Sequence, residues 1–214
     1  MKKTKTANSM NNNQIELFET ENKPFNKTIL FIGVFHGDEP QGEILINKYK
    51  ENLNEKALTN KLLFIPCLNP DGKILNTRQN SNFVDLNRNF PTKNWVISEK
   101  KDYFGGEKPN SEIETKFMTE VLEEYKPDFI LSFHAPFEIV NFDGPAEKEA
   151  KRISELCGYP VQEDIGYPTP GSFGTYAGVE RQIPVITLEL SENESIKNLW
   201  ERTEKVFEYC ANLA

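Results

Sequence analysis

The 214-residue sequence contains only two histidines, and each stands at the end of an apolar run. His36 follows Thr-Ile-Leu-Phe-Ile-Gly-Val-Phe (28–35) and opens His36-Gly37-Asp38-Glu39. His134 follows Asp-Phe-Ile-Leu-Ser-Phe (128–133). Imidazole nitrogen and carboxylate oxygen are ordinary zinc ligands at about 2.0–2.2 Å, and a catalytic site keeps three protein ligands and one open position. His-x-x-Glu on a turn entering a helix brings both groups toward one ion, because three residues is close to one helical turn. His134, from a distant strand, completes the set His36, Glu39 and His134. Either histidine alone reads better as a half-buried residue at a strand end. Two at equivalent ends, one of them within His-Gly-Asp-Glu, favour a metal.

Three further groups suit the same chemistry. Arg78 and Arg88 lie in a long loop region, where functional residues concentrate. A loop arginine is usually a solvated charge, and that account holds for either one alone. Together with Asn87 they suit two tasks: an Asn-Arg pair can clamp a substrate carboxylate, and a second guanidinium can stabilise an oxyanion. Glu189 sits between leucines in Thr187-Leu188-Glu189-Leu190. An unpaired buried carboxylate is costly, so this acid is expected to face a cleft.

The elements that must position these groups follow from apolar patterning. Residues 28–35, 61–68, 128–133 and 184–190 read as buried strands. Helices are expected at about 41–53, from Ser111 to Tyr125 through the capping-box spacing Ser111-x-x-Glu114, at 145–158 ending on Gly158, and at 193–213. Asn69-Pro70-Asp71-Gly72 reads as a turn, and little periodicity appears from there to Pro109. Alternating strands and helices predict an α/β domain with helices on both faces of a largely parallel sheet. Ligands in such sheets bind outside the carboxyl ends of the strands, where His36, His134 and Glu189 lie.

Composition narrows the function classes. A net charge of −8, with 37% hydrophobic and 27% charged residues, reads as a globular protein that repels nucleic acid and anionic membranes. No apolar h-region follows the basic start, and no run approaches the roughly 20 apolar residues of a membrane span. Residues 1–14, polar and Asn-rich, are expected to be disordered, with the catalytic domain at 15–214. Three cysteines without spacing motifs fit a reducing compartment, so a cytoplasmic location is expected, and Cys67 in its apolar run is expected to be inert.

With these residues in place, the sequence resembles the zinc carboxypeptidase family. The resemblance is carried by HGDE (36–39), NPDG (69–72), Arg78, VDLNRNFP (84–91), NW (94–95), SFH (132–134), GYPTPGSFG (166–174) and the acid of TLEL (187–190), which occur in the family order. It implies a single-domain three-layer α-β-α fold with a mixed, mostly eight-stranded sheet. It also implies one zinc per chain on His36, Glu39 and His134. Arg78 would polarise the scissile carbonyl, Asn87 and Arg88 would clamp the terminal carboxylate, and Glu189 would be the general base. Gly171 and Ser172 would help wall the pocket for the leaving residue. For a mobile tyrosine over the site the alternatives are Tyr167, Tyr176 and no equivalent. The implied substrate is a small murein peptide, cut between γ-D-glutamate and meso-diaminopimelate during peptidoglycan turnover and recycling. Glu138 and Asp143 are candidate partners for its free ammonium, though surface acids are the simpler reading of both. The rivals are a zinc deacylase of the aspartoacylase type, against which GYPTPGSFG and VDLNRNFP argue, and a catalytically inactive peptide-binding member, against which the complete set of residues argues. A purely structural zinc site would be closed and Cys-rich.

Overall fold

The computed structural model describes residues 1–21 and 23–214. Among the described residues, seven strands form one sheet in the order β1-β2-β4-β3-β5-β7-β6. They are β1 (Lys2–Asn8), β2 (Gln14–Glu19), β3 (Thr28–Ile32), β4 (Lys61–Ile65), β5 (Phe129–His134), β6 (Val140–Asp143) and β7 (Val185–Glu189). The four central strands β4-β3-β5-β7 run parallel, and β1, β2 and β6 are antiparallel additions. The sheet is therefore mixed, as expected, with seven strands where eight were expected.

The central strands are continuously apolar because both faces are covered. In β3 every residue is buried, yet alternate residues serve different cores: Ile29 and Phe31 on one face, Leu30 and Ile32 on the other. The first face packs against α1 (Gln41–Asn52), α4 (Glu147–Cys157) and α5 (Ile196–Ala211) through Leu45, Ile46, Ile153, Leu199, Val206 and Phe207. The second packs against α3 (Ile113–Tyr125) through Phe117, Met118, Val121 and Leu122. Each fully buried side chain of this size contributes about 1.5–3 kcal/mol by leaving water.

Period-two alternation then fixes where the polar residues point. In β5, Ile130 belongs to the α3-side core, so Ser132 and His134 share its face. In β7, Val185 belongs to that core, so Thr187 and Glu189 share it too. His134 and Glu189 are direct partners in the β5–β7 register. Both therefore emerge side by side at the carboxyl edge of the sheet.

Several local expectations are corrected. Residues 1–14 are not disordered: Lys2–Asn8 pairs with β2, and its turn is pinned to Asp71. That carboxylate accepts from Ser9 Oγ at 2.5 Å, Asn13 Nδ2 at 2.7 Å, Asn11 N at 3.1 Å and Ser81 Oγ at 2.8 Å. The lysines of β1 suit a strand at the edge of the sheet, and Lys5 pairs with Glu120 and Glu124 of α3. Asn69–Gly72 is not a free turn but the start of α2 (Pro70–Leu75), capped by Asn69 Oδ1 accepting from Gly72 N at 2.9 Å. The capping box is not formed either. Glu112 stands at the N-cap of α3 without a side-chain cap, and Glu114 is buried. Among the described residues no helix is long and apolar enough to cross a membrane. Cys67, Cys157 and Cys210 are free thiols, and burial pushes that of Cys67 up to about 12.

Candidate active site

The chain leaves β3 through Gly33-Val34-Phe35 and turns at His36-Gly37-Asp38-Glu39 before α1. This turn is packed on α2 so closely that a Cβ on Gly37 would lie 1.9 Å from the Gly72 carbonyl carbon. Only glycine fits there, and the contact locks His36 and Glu39 against the Asn69–Gly72 segment.

His36, Glu39 and His134, all buried, place their donor atoms within 4.8 Å of one another. His36 Nδ1 lies 2.8 Å from Glu39 Oε1, His134 Nδ1 lies 3.0 Å from Glu39 Oε2, and the two Nδ1 atoms are 3.3 Å apart. Tetrahedral ligands at about 2.0–2.1 Å from zinc stand about 3.3–3.4 Å from each other; the Nδ1–Nδ1 separation matches this, and the two contacts to Glu39 are shorter. The His134 ring stacks on Phe35 at 5.2 Å between centroids, and Phe35 in turn contacts Phe90 and Phe173.

Behind His36 stands Asp85, fully buried, whose Oδ1 accepts from His36 Nε2 at 3.1 Å. A carboxylate only accepts, so the Nε2 proton is fixed and Nδ1 is turned to the other ligands. Burial alone would lower the His36 pKa, but Glu39 and Asp85 outweigh it and raise it to about 9. Burial opposes ionisation of Glu39 and Asp85, yet His36 holds both well below the usual carboxylate range, helped by His134 at Glu39 and Arg78 at Asp85. The site thus demands a cation at Nδ1. A divalent ion held there would meet that demand, displacing a proton as it binds. The donor set fits zinc.

Arg78 is held by the second oxygen of Asp85, with both Nε and Nη2 at 2.9 Å, and its Nη1 lies 3.9 Å from Glu39 Oε1. Arg88 donates from Nη1 to the Asn87 carbonyl at 2.6 Å. The Tyr103 ring lies 5.2 Å from the Arg78 guanidinium and 5.6 Å from that of Arg88. Asn87 Oδ1 accepts from Phe173 N at 2.8 Å, tying the Asn87–Arg88 segment to Gly171–Gly174. Gly171, at φ +74°, presses on the Arg88 backbone: a Cβ there would sit 2.2 Å from the Arg88 carbonyl oxygen. Ser172 Oγ bonds Thr175 Oγ1 and Thr175 N, so it fastens the π-helical turn Gly174–Val179.

Glu189 is 7% exposed, and its Oε2 is buried without a hydrogen-bond partner among the described residues. Burial raises its pKa, partly offset by His134. A carboxylate in this state beside two histidines is an acceptor prepared for a ligand or a proton.

The structure separates the paired alternatives. Tyr176 is 2% exposed, packed on Phe90 in the α3-side core, whereas half-buried Tyr167 lines a cavity of about 310 Å³ beside Arg88. Glu138 is exposed, as the simpler reading had it. Asp143 is not a plain surface acid: it lies beneath Gly174, where a Cβ would meet its Oδ2 at 2.0 Å, and burial raises it to about 6. Two residues escaped the sequence reading. Asp85 carried a signal, an acid between Val84 and Leu86, while Tyr103 carried none.

The comparisons agree with this geometry. The zinc carboxypeptidase family model matches residues 1–153. Murein peptide amidase A of Vibrio campbellii is 35% identical over 175 residues, covering 75% of this chain and 68% of that one. Its namesake from Escherichia coli K12 is 30% identical over 197 residues, covering 86% and 78%. The crystal structure of murein-tripeptide amidase from Escherichia coli O157 superposes with a TM-score of 0.85 at 26% identity, covering 97% of this chain and 90% of that one. The chain belongs to the zinc carboxypeptidase family and is a zinc metallopeptidase.

Proposed function

We propose that the protein is an exo-acting murein peptide amidase that hydrolyses the γ-D-glutamyl–meso-diaminopimelate bond of short murein peptides during peptidoglycan recycling in the cytoplasm. The observation that carries this reading is the convergence of His36, Glu39 and His134 beside Glu189, whose Oε2 has no partner among the described residues, with Arg78 and Arg88 on the same side. The two amidases 30–35% identical to the chain support the substrate class, and three free thiols suit the compartment.

In this reading His36 Nδ1, Glu39 and His134 Nδ1 hold zinc, which when bound supplies Lewis-acid activation of water and of the scissile carbonyl. Asn87 and Arg88 hold the terminal carboxylate of the leaving residue and so fix which amide bond is presented. Arg78, oriented by Asp85, places a guanidinium where negative charge develops on the carbonyl oxygen. Glu189 takes a proton from the attacking water and delivers it to the leaving nitrogen. Gly171 through its backbone and Ser172 through its Oγ hold the segment that walls the leaving-residue pocket.

Mass analysis of products from a panel of murein peptides and N-acyl amino acids, with and without chelator, tests the proposal. Release of diaminopimelate from the tripeptide, abolished by chelator and restored by zinc, is expected. Preference for N-acetyl or N-succinyl amino acids would transfer the protein to the deacylases.

A further inference from the structure

The cavity beside Arg88 carries a charge pattern at odds with the rest of the chain. The sequence has 33 acidic and 25 basic residues. None of the described residues lining this cavity is acidic, and two, Arg88 and Lys100, are cationic. Its remaining wall is largely aromatic and aliphatic, from Tyr103, Tyr167, Val96, Pro168 and Pro170, with Ser98 the one hydroxyl-bearing aliphatic residue among them. The two tyrosine rings are 6.2 Å apart, and Tyr103 also faces the Arg88 guanidinium.

Lys100 is placed there by local structure. Its backbone N–H donates to Ser98 Oγ at 3.2 Å, and it stands at the N-cap of the 3-10 turn Lys101–Tyr103 that delivers the Tyr103 ring. The Lys100 ammonium makes no ion pair among the described residues. A cavity with apolar walls and two cations suits a ligand that has two carboxylates joined by a short aliphatic spacer. Its lining carries no acid to pair with a second ammonium.

We propose that Lys100 is a specificity residue that pairs with a second carboxylate, carried on the side chain of the leaving residue, while Arg88 engages the terminal one. This rests on the amidase reading and sharpens it. Diaminopimelate has a carboxylate and an ammonium at the far end of its side chain, and Lys100 selects the carboxylate and leaves the ammonium unread.

Three tripeptides that differ only in the leaving residue separate the two groups: diaminopimelate, lysine (no distal carboxylate) and 2-aminopimelate (no distal ammonium). For the wild-type zinc enzyme, kcat/KM is expected to be similar for diaminopimelate and 2-aminopimelate and about two- to fivefold lower for lysine, the scale of one exposed ion pair. Lys100→Gln should bring the first two down to the lysine value and leave the lysine peptide unchanged, and Lys100→Arg should retain the preference. An undiminished preference for the diacid peptides in Lys100→Gln overturns the assignment. So does a wild-type enzyme that cleaves the lysine peptide as well as the diaminopimelate one and rejects 2-aminopimelate, because the ammonium would then be the group read, with Asp143 its natural partner. If the wild-type enzyme cleaves none of the three, the amidase reading itself fails, and the role of Lys100 with it.

Discussion

His36 turns its Nε2 onto Oδ1 of Asp85 at 3.1 Å, and the other oxygen of that carboxylate holds Arg78 at 2.9 Å. One buried acid therefore orients both a candidate metal ligand and the guanidinium proposed to meet the oxyanion. Carboxylates behind a metal-bound histidine fix its tautomer and raise its basicity.

Asp85→Asn should weaken zinc binding by about 10–100-fold, the usual cost of losing such a partner. The amide keeps an acceptor for His36 but turns an N–H group toward Arg78 and removes the charge that holds it. Activity at saturating zinc should therefore stay depressed, unlike that of a variant damaged only in metal affinity. Competition with a chromophoric chelator measures the first effect and kcat/KM at saturating zinc the second. Unchanged affinity would remove Asp85 from the metal site.

Glu189→Gln separates binding from proton transfer. Glu189 is outside the His36–Glu39–His134 cluster, so the variant should retain about one zinc per chain. It should lose about 10²–10⁴ in kcat, because the amide cannot take the proton. Metal analysis and single-turnover assays report the two quantities, and a near-normal kcat would mean that another group activates the water.

The parts of this site that were legible in the sequence are those set by local pattern. His36 and His134 follow runs of buried strand residues bounded by turn residues, and Glu189 stands out as an acid among leucines. Their alignment on one face is a consequence of period-two alternation and parallel register. What was not legible depends on contacts distant in the chain. The polar, lysine-rich β1 becomes a strand only because Asp71, some 60 residues later, satisfies its turn. Val140–Asp143 is too short and too mixed to announce itself, yet it forms the edge strand that carries Asp143 under Gly174. Glu114 mimics a capping-box acid, but α3 turns it into the interior toward Asn80. Tyr103 gains its place between two arginines from the fold of a long loop whose sequence has no periodicity.

Glu114 also gives a pH dependence with a definite sign. It is 1% exposed, with Asn80 Nδ2 at 3.3 Å from one oxygen and no partner among the described residues for the other. Burial raises its pKa from an ordinary 4.5 to about 7, with the charges of Glu112 and Asp71 adding to the rise. The folded state holds this proton more tightly than the unfolded chain, so the contribution of Glu114 to stability falls as pH rises from about 4.5 to about 7 and is constant above. At about 1.4 kcal/mol per pH unit the loss is on the order of 3 kcal/mol. Glu114→Gln should remove this slope and raise Tm at pH 8 by several degrees relative to wild type, with little difference at pH 4.5. Denaturation across that range checks it, and parallel profiles for the two proteins would show that Glu114 ionises normally.

The direction of cleavage rests on Arg88. Its guanidinium lines the cavity, braced by the Asn87 carbonyl and the Tyr103 ring, while Gly171 supports its backbone. If this group receives a free terminal carboxylate, the enzyme acts only on the last residue of a short peptide. Loss of a charge-assisted pair of this kind costs roughly 2–5 kcal/mol. Amidating the terminal carboxylate of the diaminopimelate-ended tripeptide should therefore lower kcat/KM by about 30-fold or more. Arg88→Ala should cause a similar loss on the free acid and little further loss on the amide, because both changes break one interaction. Asn87→Ala should do additional damage, since Asn87 Oδ1 also anchors Phe173 N. The four kcat/KM values from two enzymes and two substrates form a double-mutant cycle. A coupling energy near zero in that cycle would mean that Arg88 and the carboxylate do not meet, and that the chain end is recognised elsewhere in the groove.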